Sequence, residues 1–105
     1  SSIDKHHIFP KNYLTQIGYD SDRDRNQIAN FTYLDYNTNI DIGDKAPAEY
    51  VGEYRQKLGE AGYALTCKQN ALPLGFEEME YQDFLRQRRL LMAETVRAAY
   101  RKLCE

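Results

Sequence analysis

Apolar positions alternate poorly near the start of the chain and recur at helical spacing further on, and that change divides it. Near the start, Ile3, Ile8 and Phe9 flank polar residues and read as a short strand within 3–9 that ends near His7. Pro10 has no N–H to give to a ladder and stops it. Residues 11 to 14 predict a short helical turn that carries Tyr13 and Leu14 inward. Residues 15 to 27 read as a solvated loop, because Gly18, Asp20, Ser21, Asp22 and Asp24 are turn formers. A further turn is expected over Asn26 to Ala29. Phe31 to Leu34, aromatic and β-branched, is the second strand. Tyr36 to Asp41 reads as one or two helical turns stopped by Gly43.

From Pro47, which suits the first turn of a helix, the period lengthens. Tyr50, Val51, Tyr54 and Leu58 recur at helical spacing, and Gly59 and Gly62 are expected to end that helix. Residues 62 to 75 read as a connector in which Leu65, Leu72 and Leu74 pack down and Pro73 breaks any helix; a small helical turn covers Leu72 to Met79. A last, long helix spans about residues 80 to 103. Its stripe of Tyr81, Phe84, Leu85, Leu91, Met92, Thr95, Val96, Ala99 and Leu103 steps by threes and fours. At the usual rise that helix would run roughly 35 Å. The pattern predicts an α+β chain: strand, loop, strand and short helix over 1–46, then a helical extension over 47–105 packing on it in one compact domain.

The length of 105 residues is that of one domain able to fold on a modest core, and 42% apolar residues supply one. The net charge is −2. That argues against binding nucleic acid by bulk charge, so any such contact needs a local basic patch or a bound cation. Cys67 and Cys104 are far apart, which excludes a thiolate zinc site. Both thiols are expected to be reduced, as in a cytoplasmic protein. No signal peptide and no membrane-spanning run is visible.

The candidate chemistry lies between residues 4 and 45. His6 and His7 are the only histidines and they are adjacent. On an extended backbone they point opposite ways, so one can ligate a divalent ion while the other stays free as a base. A carboxamide oxygen downstream can supply a further ligand.

The order His6-His7-Ile8-Phe9-Pro10, then Asn30-Phe31-Thr32-Tyr33-Leu34, then Asn39 ahead of Gly43-Asp44-Lys45 resembles the HNH nuclease motif. The wider text is similar to the C-terminal HNH domains of GmrSD-type modification-dependent restriction proteins. It shares with them the His-His-Ile-Phe-Pro-Lys opening, Ile-Ala-Asn-x-Thr, Gly-Asp-Lys-x-Pro-x-Glu-Tyr and the late Tyr-x-x-Phe-Leu-x-x-Arg-Arg helix. The resemblance covers nearly the whole chain and is strongest over residues 4 to 51. It implies a ββα-metal nuclease core over 1–46 and DNA cleavage leaving 5′-phosphate ends in a restriction or phage-defence protein. It also implies that a nucleotide-binding domain precedes this C-terminal piece.

On that reading His7 is the general base, and Asn30 fixes the loop or the imidazole. His6 and Asn39 are the metal ligands, with Asp4 supporting His6. The ion is one divalent metal: magnesium, manganese, nickel or zinc. Lys11, Arg25 and Lys45 are candidate phosphate contacts. Blander readings stand beside these: Asn39 as a turn or capping residue, Asp4 as a surface acid, and Arg86, Arg89, Arg97 and Arg101 as a solvated helix face. The alternative function is an HNH-fold module that binds nucleic acid or a partner without cutting. The sequence does not separate DNA from RNA.

Overall fold

The computed structural model describes residues 3–35 and 42–105. Strand β1 (Ile3–His7) is followed by helices α1 (Lys11–Gln16) and α2 (Asp22–Arg25), a 3-10 turn (Ile28–Asn30) and strand β2 (Phe31–Asp35). Then come helix α3 (Pro47–Gln69), a second 3-10 turn (Phe76–Glu78) and helix α4 (Tyr81–Cys104). The architecture is mixed, mostly helical with one small two-stranded sheet. The helical turns expected over Tyr36 to Asp41 lie outside the described residues.

The two strands pair antiparallel, from Ile3 opposite Asp35 to His7 opposite Phe31. Pairing continues one step past β1, where the Ile8 N–H donates to the Asn30 carbonyl at 2.8 Å. Pro10 then leads into α1, and Leu14 is fully buried, as its position predicted.

The stretch 15–27 is not all loop. Asp22–Arg25 is helical because its ends are satisfied locally: Ser21 Oγ accepts from the Asp24 N–H at 3.1 Å. Asp22 and Asp24 fall in the first turn and Arg23 and Arg25 in the last, which suits the helix dipole. That signal is polar, so a search for apolar periodicity passes over it.

Gly59 does not end α3; it kinks it. Its backbone sits at φ 72°, ψ 172°, a conformation essentially reserved for glycine, and the helix resumes beyond. The resumed half is held because Tyr63 and Cys67, four residues apart, bury one face. Arg55 ties the joint, reaching Glu60 at 3.2 Å and Glu77 at 2.9 Å, with its guanidinium 4.2 Å from the Tyr63 ring centroid. The expected connector is therefore helical to Gln69. Leu72 packs down, but Leu65 and Leu74 are exposed.

Glu80 caps α4, accepting from the Gln82 N–H at 2.8 Å. Tyr81, Phe84, Leu85 and Arg88 are buried, whereas Val96 and Leu103 further along are exposed. The expected core stripe is thus covered only over its first half. Phe9 sits at the centre of the core, its ring 4.7 Å from Phe84 and 5.3 Å from Tyr81. Residues from the β1–β2 part and from α3 and α4 share this core. Among the described residues no helix is long and apolar enough to cross a membrane.

Candidate functional site

Strand β1 delivers His6 and His7 to opposite faces, since side chains alternate along a strand. His7 is half-buried, with its ring 4.4 Å from Phe31, its partner across the ladder. Its Nε2 lies 2.8 Å from Asn26 Oδ1. In that amide orientation the carboxamide oxygen keeps the proton on Nε2 and leaves Nδ1 as the basic nitrogen. An orienting group on one nitrogen and a lone pair on the other is the arrangement a general base needs.

Asn30 is completely buried, and the hydrogen bonds of its carboxamide go to backbone rather than to the imidazole. Its Oδ1 accepts from the Phe9 N–H at 2.8 Å, and its Nδ2 donates to the Phe9 and Arg25 carbonyls, each at 3.0 Å. Of the two tasks expected of it, fixing the loop or fixing the ring, the geometry assigns it the loop. Tyr50 assists by donating from its hydroxyl to the Ile8 carbonyl at 2.6 Å, and burial pushes the Tyr50 phenol well above its ordinary range. The turn that follows the histidines is therefore gripped from both sides.

Arg88 completes the support. Buried on α4, it donates to the carbonyls of Ala29 at 2.9 Å and Asn70 at 3.0 Å, and also to those of Phe31 and Ala71. Asn70 caps the C-terminal end of α3, where the helix dipole favours a cation. Burial lowers the guanidinium to about 10, so it remains charged at neutral pH.

His7 opens onto a groove of about 880 Å³ lined by Lys5, Lys11, Asn26, Phe31 and Tyr33 among others, with Arg88 in its floor. Lys5 Nζ lies 4.2 Å from the Phe31 ring centroid. Lys11 lines the groove and also lies 3.4 Å from Asp22. The hydrogen bond from Arg25, followed by the nearby Lys11 charge, holds the Asp22 carboxyl below its usual range.

The remaining sequence candidates lie elsewhere. Arg25 donates to Thr15 Oγ1 at 2.7 Å and to Asp22 at 2.8 Å, which ties it to α1 and α2. Lys45 pairs with Glu53 at 3.0 Å. His6 is half-buried opposite Thr32 in the register, and Asp4 lies on β1 opposite Leu34. Asn39, the expected second metal ligand, is outside the described residues, as is Asn37. Among the described residues no three His, Cys, Asp or Glu side chains cluster for a metal. One imidazole and one carboxamide would not form such a cluster. As a donor pair they fit a borderline divalent ion whose shell is completed by water and phosphate.

Sequence reasoning missed Asn26, Lys5 and Arg88. Lys5 is two residues before His7, hence on the same strand face, so period two could have found it. Arg88 lies four residues after Phe84 and three after Leu85, on the apolar stripe of α4; a cation there is a visible anomaly. Asn26 carries no local signal, because its contact with His7 depends on how α2 returns the chain. On the arginine face, Arg86 pairs with Asp83 and Arg89 donates to Gln27 at 2.9 Å.

Comparison with protein-family models, with curated proteins and with solved structures finds no match to this chain.

Proposed function

We propose that this chain is an HNH-type, metal-dependent endonuclease domain that hydrolyses phosphodiester bonds in DNA, the cleavage module of a restriction or phage-defence protein. The observation that carries the reading is His7: a ring oriented through Nε2 by Asn26, at the edge of an open groove that also holds Lys5 and Lys11. The motif His6-His7-Ile8-Phe9-Pro10 with Asn30 downstream supports it. So does the way Asn30 grips the turn after the histidines. On this reading β1 and β2 are the strands of a ββα-metal core. A nucleotide-binding domain preceding this one would govern when it cuts.

In the proposed reaction Nδ1 of His7 takes a proton from water. The hydroxide attacks phosphorus in line, the bond to the 3′ oxygen breaks, that oxygen takes a proton from solvent to become a hydroxyl, and the product keeps a 5′-phosphate. Lys5 and Lys11 balance phosphate charge as the strand is held. A divalent ion, held when bound by His6 and Asn39 with Asp4 in support, supplies charge stabilisation at the phosphoryl and leaving oxygens.

A second reading, a non-cutting HNH-fold binding module, is favoured by one observation: His7 already has a partner in Asn26 at 2.8 Å. Plasmid nicking at low salt with magnesium, manganese, nickel or EDTA separates the two. The nuclease reading expects nicking with a divalent ion, none in EDTA, and 5′-phosphate ends. DNA binding without cutting under every metal would establish the second.

A further inference from the structure

The face of the hairpin that carries His7 is a tile of alternating chemistry. By the register, Lys5 stands opposite Tyr33 and His7 opposite Phe31. Two aromatic rings thus lie across from a cation and an imidazole on one surface. Tyr33 is 65% exposed and Ile28, on the same groove, is 79% exposed. Lys5 already lies over the Phe31 ring, and Lys11 extends the positive charge along the groove.

A duplex has little use for such a surface. Its bases are stacked inside, so although the Tyr33 hydroxyl can donate to a phosphate, the face of its ring and the Ile28 side chain meet no partner there. Gripping a duplex through phosphates also takes many cations, and the chain has a net charge of −2. An unpaired strand matches both features. Each base has a π-face to lay on an aromatic ring, and a few lysines suffice for the phosphates between bases. Resting on the nuclease reading of the same groove, we propose that the Lys5–Tyr33 tile is a stacking surface for an unpaired base beside the scissile phosphate. The substrate strand is then single-stranded or locally opened DNA.

The test is a binding measurement in EDTA, so its outcome does not depend on whether the chain cuts. Fluorescence anisotropy would compare a labelled single-stranded DNA of about a dozen nucleotides with its duplex, with an RNA strand of the same sequence, and with a DNA strand carrying abasic sites at its centre. The expected result is tighter binding to the single strand than to the duplex. Tyr33→Ala should weaken it by about 5- to 100-fold, the usual worth of one base–aromatic stack, while Tyr33→Phe keeps it. The abasic strand should bind as weakly to the native protein as the intact strand binds to Tyr33→Ala. Duplex bound as tightly as single strand, an abasic strand bound as well as an intact one, or RNA preferred over DNA would each overturn the proposal. So would the absence of measurable binding. Because Tyr33 is exposed, its replacement leaves the core untouched. If the tile binds single strands and no metal supports cutting, the nuclease reading fails, and what stands is a single-strand binding surface with no scissile phosphate beside it.

Discussion

Asn30 and His7 are joined through the same turn of chain, yet their surroundings are opposite in kind. Around Asn30 the carboxamide is buried and fully hydrogen-bonded: it grips Phe9 in both directions and donates to the Arg25 carbonyl, and Arg88 gathers four carbonyls beside it. Around His7 the groove is open, its partner Asn26 is exposed, and neighbouring Lys5 and Tyr33 face solvent. The contrast separates two tasks that a motif compresses into one line of sequence. The buried knot fixes where β1 ends, and the open face keeps a ring available for chemistry. Changes to the first should be read in stability, and changes to the second in rate.

The largest effect belongs to the knot. Asn30→Ala strands the Phe9 N–H and two carbonyls in the interior, so it should cost about 4 kcal/mol. For a domain this size that lowers the melting temperature on the order of 20 °C. A thermal melt close to that of the native protein would dissolve the contrast from its buried side.

Arg88→Met should follow at about 3 kcal/mol, since the side chain keeps its bulk but abandons four carbonyls and the end of α3. Lysine at this position should recover only part of the loss, because a single ammonium cannot span the guanidinium fork. Urea titration of the pair measures both.

On the open side, Asn26→Ala should leave the melt within about 0.5 kcal/mol, as expected of an exposed site. Cleavage should nonetheless slow about tenfold as the imidazole loses its orienting bond. Parallel melting and nicking measurements check this, and a variant that melts early without a change in rate would reverse the assignment.

The smallest effect is a gain. Ala71 adopts φ 52° just past α3, where the Leu72 N–H closes back onto the Cys67 carbonyl at 2.8 Å. A non-glycine residue there carries left-handed strain, so Ala71→Gly should raise stability by about 0.5–1 kcal/mol. That would sharpen the comparison, because the gain arises at the Arg88 end of the groove and should leave cleavage unchanged.

Much of this could be read from the chain. Residue type and the stop at Pro10 gave both strands, and helical spacing gave the start of α3 and the whole of α4, because burial imposes that period wherever one face of a helix meets a core. Gly59 misled, since the same glycine that ends a helix can bend one, and the choice depends on whether Tyr63 and Cys67 find a core beyond it. Helix α2 was hidden because caps and charges alone hold it. The far half of α4 looked like core stripe, but a helix longer than the body it packs on runs out of partners. At the site, the order of residues in the sequence singled out His7 and Asn30, and the structure joins them through the turn at Phe9. Asn26 and Arg88 were unreadable as partners because their contacts close over nineteen and more than fifty residues.

The most direct measurement is the nicking rate of His7→Ala against the native protein, with manganese or magnesium at matched folded fraction. The account predicts an unchanged melt and a rate lowered by about 10²- to 10⁴-fold, the usual contribution of a general base. Metal-dependent cutting at the native rate from a folded His7→Ala protein would contradict it.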